Sequence, residues 1–287
     1  MSDKLKGIVC IVFSAFGFAL MALFVGMCDR YGEAVSSFQK SFFRNLPAVF
    51  IALGVFLRSG KKSMGLDAKD WALLLARSAI GATGIFCNFY ALSHIPIGEG
   101  MTLNKTAPFF TVFLSWLLLK ERLGIRQFAF LALAFLGAML IVKPGFSPQG
   151  GLFPLSMALL GGVCAGAAYV CVHALGRRQV PGAFIVMFFS LFSCLAAVPF
   201  MVADFTPMTS AQLWIMAGAG LGGAMGQFGV TWAYRYAEPR SIAVYDYTNV
   251  VFTTLLGWAV LGQTIDLVSA AGMALIVFCA FRVLKKG

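Results

Sequence analysis

Long apolar runs separated by short polar connections divide the chain from one end to the other. An α-helix needs about 20 mostly apolar residues to cross the hydrocarbon of a bilayer. Ten segments approach that length, at approximately 7–27, 36–57, 71–92, 98–118, 125–142, 152–175, 183–202, 213–236, 240–261 and 266–283. The pattern therefore predicts an all-α integral membrane protein with ten transmembrane helices and no separate soluble domain.

The same apolar pattern occurs twice along the chain. At a constant offset of 142 residues, 84–123 aligns with 226–265 without a gap, and the alignment pairs Gly84 with Gly226 and Trp116 with Trp258. Each copy holds five predicted helices, and an odd number places the second copy in the membrane upside down relative to the first. We therefore expect a 5+5 inverted repeat, with a first unit at 1–147 and a second, inverted unit at 148–287.

Composition agrees with the membrane class and gives the orientation. The chain is 60% hydrophobic and 11% charged, with a net charge of +11. If the N-terminus is inside, the connections on that side hold sixteen Lys and Arg residues, the other side holds two, and four lie within helices. This bias predicts a multi-pass protein of the cytoplasmic (inner) membrane with both termini cytoplasmic, and it removes nucleic acid as the explanation for the positive charge.

The sequence contains no convincing motif for binding a cofactor or a metal. The seven cysteines have no CxxC spacing, so we expect free thiols packed as small apolar residues. Residues 218–223 read GAGLGG, but the match lies inside a predicted membrane helix, where it indicates close helix packing instead of dinucleotide binding. The sequence also lacks HExxH, GxSxG and Walker patterns. We expect no cofactor, no metal and no enzymatic activity.

Polar residues that one copy has and the other lacks are the best candidates for a functional site. On helix 2, Lys40 aligns with a valine and Arg44 with a serine of the second copy. On helix 4, Glu99, Asn104 and Lys105 align with Ser241, Asp246 and Tyr247. Counting about 1.5 Å per residue places Arg44 and Lys105 roughly 10–12 Å into the membrane, with Lys40 shallower. Asn88 and Tyr90 of helix 3 would reach the same zone.

This cluster predicts a wet cavity or an anionic ligand, because a cation in hydrocarbon costs about 2.5–3.5 kcal/mol. Glu99 is the nearby counter-ion, which leaves spare positive charge. Pro47 and Pro108 each free a backbone carbonyl beside the basic residues, and such carbonyls are tolerated only against protein or water.

On helix 9, Asp246 and Asn249 share a helical face with Thr253, and Asn104 and Thr111 form the equivalent stripe on helix 4. Both stripes are expected to line a cavity between the repeats. For Asp246 three roles remain open: carrying a proton, pairing with a basic residue of the first copy, or bonding backbone at the helix start.

Other polar residues are interpreted as structural. Arg77 and His173 are expected to snorkel toward the cytoplasm, and Trp232, Tyr234 and Tyr236 to form an interfacial belt.

Four short runs carry a family resemblance: FFR at 42–44, PFFT at 108–111, LKERL at 119–123 and LLGWAVLGQ at 255–263. With them the chain resembles the EamA-like ten-helix branch of the drug/metabolite transporter superfamily along essentially its whole length. The resemblance implies the inverted-repeat fold, an inner-membrane location and transport of small metabolites. The chain departs from the family at Gln263, where a glutamate is usual.

The leading hypothesis is a secondary transporter for a small carboxylate-bearing metabolite, either an organic anion or an amino acid, working by alternating access. Arg44 and Lys105, with Lys40, would bind the carboxylate. The residues expected to orient it are Asn88, Tyr90, Asn104 and Tyr247, and those expected to gate or couple are Asp246 and Glu99.

The alternative is an exporter of organic cations or drugs that uses Asp246, Glu99 and aromatic residues. The expected partners are a small-molecule substrate, lipid and, as a candidate coupling ion, protons, and the protein would be a monomer or a dimer.

Overall fold

The computed structural model describes residues 2–59, 65–92, 94–95, 103–122, 124–143, 151–262 and 264–285. Within these ranges the chain forms ten helices of 13 residues or more. They are α1 (Asp3–Cys28), α2 (Ser37–Arg58), α3 (Ala68–Leu92), α4 (Ala107–Leu119), α5 (Ile125–Val142), α6 (Leu152–Arg177), α7 (Gly182–Ala203), α8 (Ser210–Tyr236), α9 (Thr248–Leu261) and α10 (Leu267–Lys285).

Apolar side chains cover the outside of this bundle. Phe50, Leu57 and Trp214 are 64%, 69% and 80% exposed, as expected for residues that face lipid. By length and composition alone, seven of the described helices are apolar and long enough to cross a membrane, and α4 is a shorter apolar helix. The protein is a multi-pass, all-α integral membrane protein, which confirms the fold predicted from the apolar pattern.

The helices pair as an inverted repeat requires. In the repeat, α6 corresponds to α1 and α8 corresponds to α3. α1 packs on α8, and in the same way α6 packs on α3. α4 packs on α6 as α9 packs on α1. Two helices pack on their own equivalents in the other repeat: α2 packs on α7, and α5 packs on α10. The two five-helix halves are therefore interleaved across a pseudo-twofold axis, so most helix contacts join one repeat to the other.

Glycines let the paired helices approach closely. A Cβ added to Gly222 of α8 would lie 2.8 Å from the backbone N of Met21 on α1. On the symmetry-related pair, a Cβ on Gly84 of α3 would lie 2.9 Å from the Cβ of Cys164 on α6. The GAGLGG run lies within α8, and its glycines serve helix packing as predicted.

The helices 4 and 9 predicted from the sequence are each interrupted near the middle of the membrane. The described part of helix 4 has a turn at Lys105 and Thr106 before α4 begins at Ala107. Predicted helix 9 begins as a four-residue helix, Pro239–Ile242, continues as a 3₁₀ segment, Ala243–Tyr247, and only then becomes α9. Broken helices at matching positions of two inverted repeats are characteristic of transporter binding sites.

Ion pairs connect the two repeats at both ends of the helix bundle. We call the face where α1 begins and α10 ends the termini face. There Arg178 pairs with Asp67 and Asp70, and the backbone N–H of Asp70 together with the Arg178 guanidinium keeps the pKa of Asp67 below its ordinary value. On the opposite face Lys143 pairs with Asp266. Each pair joins one repeat to the other at the surface.

Candidate functional site

A cavity of about 270 Å³ lies between the repeats at the level of the two helix breaks. This volume is slightly below the roughly 300 Å³ at which pockets for drug-sized ligands begin, so the cavity suits a small metabolite. Its polar lining comes from both repeats: Arg44 (α2), Arg77 and Asn88 (α3), Asn104 and Lys105 (before α4), Tyr169 (α6), Gln227 (α8), Asp246 (3₁₀ segment) and Asn249 (α9).

Six of the residues singled out in the sequence as candidates for the site line this cavity together: Arg44, Asn88, Asn104, Lys105, Asp246 and Asn249. Their convergence follows from the fold, because the breaks before α4 and α9 face each other across the pseudo-twofold axis. Lys40, Tyr90 and Tyr247 do not line it, and Glu99 lies outside the described residues.

Lys105 is held at the contact between the two broken helices. Its ammonium Nζ donates to Oδ1 of Asn249 at 2.6 Å, and the Asn249 Nδ2 in turn donates to the carbonyl of Ala15 on α1 at 2.9 Å. The carbonyl of Lys105, at the helix break, accepts a hydrogen bond from Tyr247 Oη at 2.9 Å. Tyr247 is fully buried and therefore supports the site from behind instead of contacting a ligand.

Arg44 and Asp246 present their charges to the cavity. Neither side chain makes a hydrogen bond or an ion pair of 4.0 Å or less within the described ranges, although Asp246 is near enough to Lys105 for electrostatic attraction. Within those ranges the Asp246 carboxylate accepts no hydrogen bond from a backbone N–H, which disfavours the helix-start role considered for it. An arginine and a carboxylate that line the same cavity with free hydrogen-bonding groups are suited to hold a polar ligand.

Arg77 also lines the cavity, and the prediction that it snorkels toward the cytoplasm is wrong. Its side chain is 3% exposed, and Nη2 donates to Oε1 of Gln227 at 3.2 Å. The guanidinium carbon lies 3.7 Å from the centroid of the Phe189 ring, a cation–π contact with α7. Arg77 lies nine residues into α3, about 14 Å from the helix end, whereas the helix start predicted at residue 71 had placed it only six residues, or about 9 Å, from the end.

Two predicted ligand contacts lie elsewhere. Lys40 Nζ pairs with Asp29 Oδ2 at 2.6 Å beyond the end of α1, on the face opposite the termini. Tyr90 is 41% exposed and stacks on His94, with the two ring centroids 4.2 Å apart. The structure therefore separates both from Arg44 and Lys105.

The far halves of the two predicted stripes do not reach the cavity either. The Thr111 hydroxyl donates to the carbonyl of Ala107 at 2.9 Å, and the Thr253 hydroxyl donates to the carbonyl of Asn249 at 2.8 Å. Each threonine is thus satisfied four residues back along its own helix.

Buried side chains separate the cavity from the termini face. Tyr169 lines the cavity and stacks on Tyr234, which is 1% exposed, with ring centroids 5.3 Å apart. One turn further along α6, the His173 ring bonds the Tyr234 carbonyl at 2.5 Å through Nδ1 and Glu121 Oε1 at 2.7 Å through Nε2. The other Glu121 oxygen accepts from the Ser115 hydroxyl at 2.5 Å.

This layer corrects two interpretations. His173 is 5% exposed and bonded on both ring nitrogens, so it does not snorkel, and Tyr234 is buried instead of belonging to an interfacial belt. Glu121 of the LKERL run is an acidic residue between two basic ones, which marks it as unusual in the sequence. The sequence does not indicate that Glu121 pairs with His173. Beyond the layer, toward the termini face, lies a basic hollow of about 620 Å³ that includes Arg122, Arg177, Arg235 and Arg240.

Within the described ranges no group of His, Cys, Asp and Glu side chains is arranged to hold a metal ion, and the seven cysteines are unpaired there. The chemistry available to the cavity is therefore hydrogen bonding and charge, from guanidinium, ammonium, amide and carboxylate groups.

Comparison with known proteins gives a consistent picture. The sequence model of the EamA-like transporter family matches residues 5–143 and again 152–284. The chain is 29% identical over 289 residues to the pseudopaline exporter CntI of Pseudomonas aeruginosa strain UCBPP-PA14, with 99% of each chain covered. It is 23% identical over 251 residues to a riboflavin transporter of Brucella anthropi, which covers 86% of this chain and 87% of the relative.

A solved structure, titled only as the crystal structure of a protein, has the same fold. It superposes with a TM-score of 0.82 at 19% sequence identity and covers 97% of this chain and 96% of the other.

Proposed function

We propose, since the chain belongs to the EamA-like transporter family, that it is a secondary transporter for a small carboxylate-bearing metabolite, an organic anion or an amino acid. That it is a membrane transporter of small metabolites, and a transport protein rather than an enzyme, follows from the family. The named relatives carry different cargos, pseudopaline and riboflavin, so the family leaves the cargo open. The choice of a carboxylate therefore rests on the cavity itself.

The observation that carries the proposal is the charge of the cavity. Arg44, Arg77 and Lys105 supply three positive charges and Asp246 one negative charge, which leaves a net charge of +2 (3 − 1) on the described lining. Unbalanced charge far from water costs several kcal/mol per ion unless it is paired or hydrogen-bonded. A bound carboxylate would supply the missing charge, and Arg and Lys are the side chains that bind carboxylates best.

The fold supports transport by alternating access. The cavity lies where the inverted repeats, which we propose as units 1–147 and 148–287, meet. The contacts that cross it, such as Lys105 with Asn249, are hydrogen bonds that a rocking motion of one repeat can break and remake. The layer of Tyr234, His173 and Glu121 is a closed gate on the termini face, and exchange of ligand on that side requires the layer to separate.

The orientation in the membrane follows from the basic residues. We propose that the termini face is cytoplasmic, because sixteen Lys and Arg residues lie on that side in the ten-helix arrangement and two on the other. The described conformation would then be closed toward the cytoplasm. Asp246 would gate or couple: it is near enough to attract Lys105 in this conformation and is free to take a proton when that lysine is engaged by ligand.

The proposal is tested by ligand-dependent stabilisation of the purified protein. A solute that binds the folded form raises its melting temperature by mass action, so a panel of small monocarboxylates, dicarboxylates, amino acids and matched amines identifies the chemical class. We expect carboxylates to raise the melting temperature and amines without a carboxylate to have no effect.

Two variants then locate the binding site. Arg44→Gln and Lys105→Gln should each weaken carboxylate binding by about tenfold or more, because a charge-assisted hydrogen bond is worth about 1.5–3 kcal/mol. Arg58→Gln is the matched control, since Arg58 is an exposed arginine at the far end of the same helix as Arg44. This variant should bind carboxylates as tightly as the wild type does. Unchanged carboxylate affinity in both cavity variants would refute the proposal.

The alternative cargo, an organic cation, is favoured by the free carboxylate of Asp246. It predicts the opposite pattern: amines stabilise the protein, Asp246→Asn abolishes the effect, and the Arg44 and Lys105 variants retain it.

A further inference from the structure

Arg77 is a third positively charged group in the cavity, which the carboxylate site at Arg44 and Lys105 does not require. Its guanidinium is buried, and while Nη2 reaches Gln227, Nε is buried with no hydrogen-bond partner in the described structure. Phe189 covers one face of the guanidinium. Gly81 leaves room for the guanidinium, since a Cβ there would lie 2.6 Å from Arg77 Nη1.

The charged groups of the cavity are divided between the two repeats. All three cations come from the first repeat, with Asn88 and Asn104, whereas the second repeat contributes the carboxylate of Asp246 together with Tyr169, Gln227 and Asn249. Two of the cations are bonded across the repeat boundary to neutral amide oxygens: Lys105 to Asn249 at 2.6 Å and Arg77 to Gln227 at 3.2 Å. A carboxylate is a stronger acceptor for a cation than a neutral amide, because both partners are then charged. Both amides therefore occupy positions that ligand oxygens can take.

We infer that Arg77, opposite Gln227, is a second anion subsite, so that the cargo carries two anionic groups, as a small dicarboxylate does. This inference rests on the proposed function, because it takes the site of Arg44 and Lys105 as the first subsite. A dianion balances the net charge of +2 left by three cations and Asp246, which a monocarboxylate would leave half compensated.

The depths of the two arginines suit two separate groups. Arg44 lies seven residues into α2 from the opposite face, about 10 Å, and Arg77 lies nine residues into α3 from the termini face, about 14 Å. Their levels can be compared on α8: a Cβ on Gly223 would lie 3.3 Å from the Arg44 carbonyl oxygen, and Arg77 Nη2 donates to Gln227, four residues or about 6 Å further along the same helix. That separation is within the reach of the carboxylates of a short dicarboxylate, aided by the length of the arginine side chains.

The same geometry connects binding to movement. A dianion that engages both Lys105 and Arg77 removes their hydrogen bonds to Asn249 and Gln227, and both of these bonds join the repeats. Loss of two cross-repeat contacts frees one half of the protein to move relative to the other. A monocarboxylate at the first subsite would leave the bond between Arg77 and Gln227 in place.

The test compares succinate with butyrate, which have the same carbon chain and differ by one carboxylate, and adds inorganic phosphate as a compact anion. Affinities are measured by thermal shift or calorimetry on the full-length protein in detergent. We expect wild type to bind succinate about tenfold or more tightly than butyrate, and Arg77→Gln to remove that advantage because it weakens succinate binding much more than butyrate binding. Arg77→Lys, which keeps the charge, should retain part of the preference.

Each other result counts against the inference. Equal affinity of wild type for succinate and butyrate, an equal loss for both in Arg77→Gln, or phosphate binding as tightly as succinate would overturn the second subsite. The melting temperature of each variant without ligand shows whether it is folded, and Arg77→Lys provides the measurement if the glutamine variant is not. Failure of the first subsite is separate: there, Arg44→Gln would leave butyrate and succinate binding unchanged.

Discussion

Arg44, Arg77 and Lys40 show what a single residue in a membrane sequence reveals about its role. Counting residues from the helix end gives depth, and depth identified Arg44 as a cation without a short route to water. The direction in which the side chain points depends on neighbouring helices. Lys40, one turn from Arg44, forms an ion pair with Asp29. Arg77 instead donates to Gln227 and lies over the ring of Phe189. Depth was therefore predictable from the sequence, and the partners of Lys40 and Arg77 were not.

At the residue scale, Glu121→Ala tests the gate on the termini face. Glu121 and His173 have side chains that are 10% and 7% exposed, and removal of the carboxylate leaves the imidazole and the Ser115 hydroxyl without that partner. We expect a loss of about 1–3 kcal/mol in unfolding free energy, measured by thermal or denaturant unfolding in detergent.

Glu238→Ala is the control for this variant. Glu238 pairs with Arg240 near the surface, where the side chains are 47% and 29% exposed, and such pairs are worth about 0–1 kcal/mol. A Glu121 variant no less stable than the Glu238 variant would contradict the structural role given to the layer.

At the scale of helices, the apolar runs predicted most boundaries within a few residues, because lipid requires long apolar segments with satisfied backbone. The breaks in helices 4 and 9 were harder to predict. Pro108 marks the first, but the equivalent position of the second copy is Val250, so no local signal marks the second break. That break is supported by tertiary contacts instead, among them the hydrogen bond from Tyr247 to the Lys105 carbonyl.

Gly222→Ala tests the packing of α1 on α8. The added Cβ would lie 2.8 Å from the Met21 backbone N and 2.9 Å from the Gly17 carbonyl oxygen, so the helices must separate. Overpacking of this kind costs about 1–3 kcal/mol, which we expect as a lower melting temperature. Gly54→Ala is the matched control, because its Cβ would meet nothing within 4 Å, and alanine is the better helix former there. Equal melting temperatures for the two variants would show that α1 and α8 are not packed this closely.

At the scale of the whole molecule, the duplicated sequence predicted the fold and a site between the halves. A five-helix unit repeated once must invert, and inversion brings equivalent helix breaks together at one level. The comparison between copies also identified most of the residues that make the cavity basic. The periodic face of helix 9 had indicated Asn249, but neither its bond to Lys105 nor the bond between Gln227 and Arg77 was predicted, because hydrogen bonds across a repeat boundary leave no pattern in the sequence.

The measurement that tests this account most directly is solute exchange in proteoliposomes that contain the purified protein. Vesicles loaded with an unlabelled carboxylate from the binding panel are diluted into the same carboxylate carrying a radiolabel, and its accumulation is followed. The account predicts saturable exchange by the wild type and by Arg58→Gln, and a loss of about tenfold or more with Arg44→Gln and Lys105→Gln. Exchange that is equal in all four proteins, or no exchange above that of protein-free vesicles, would contradict it.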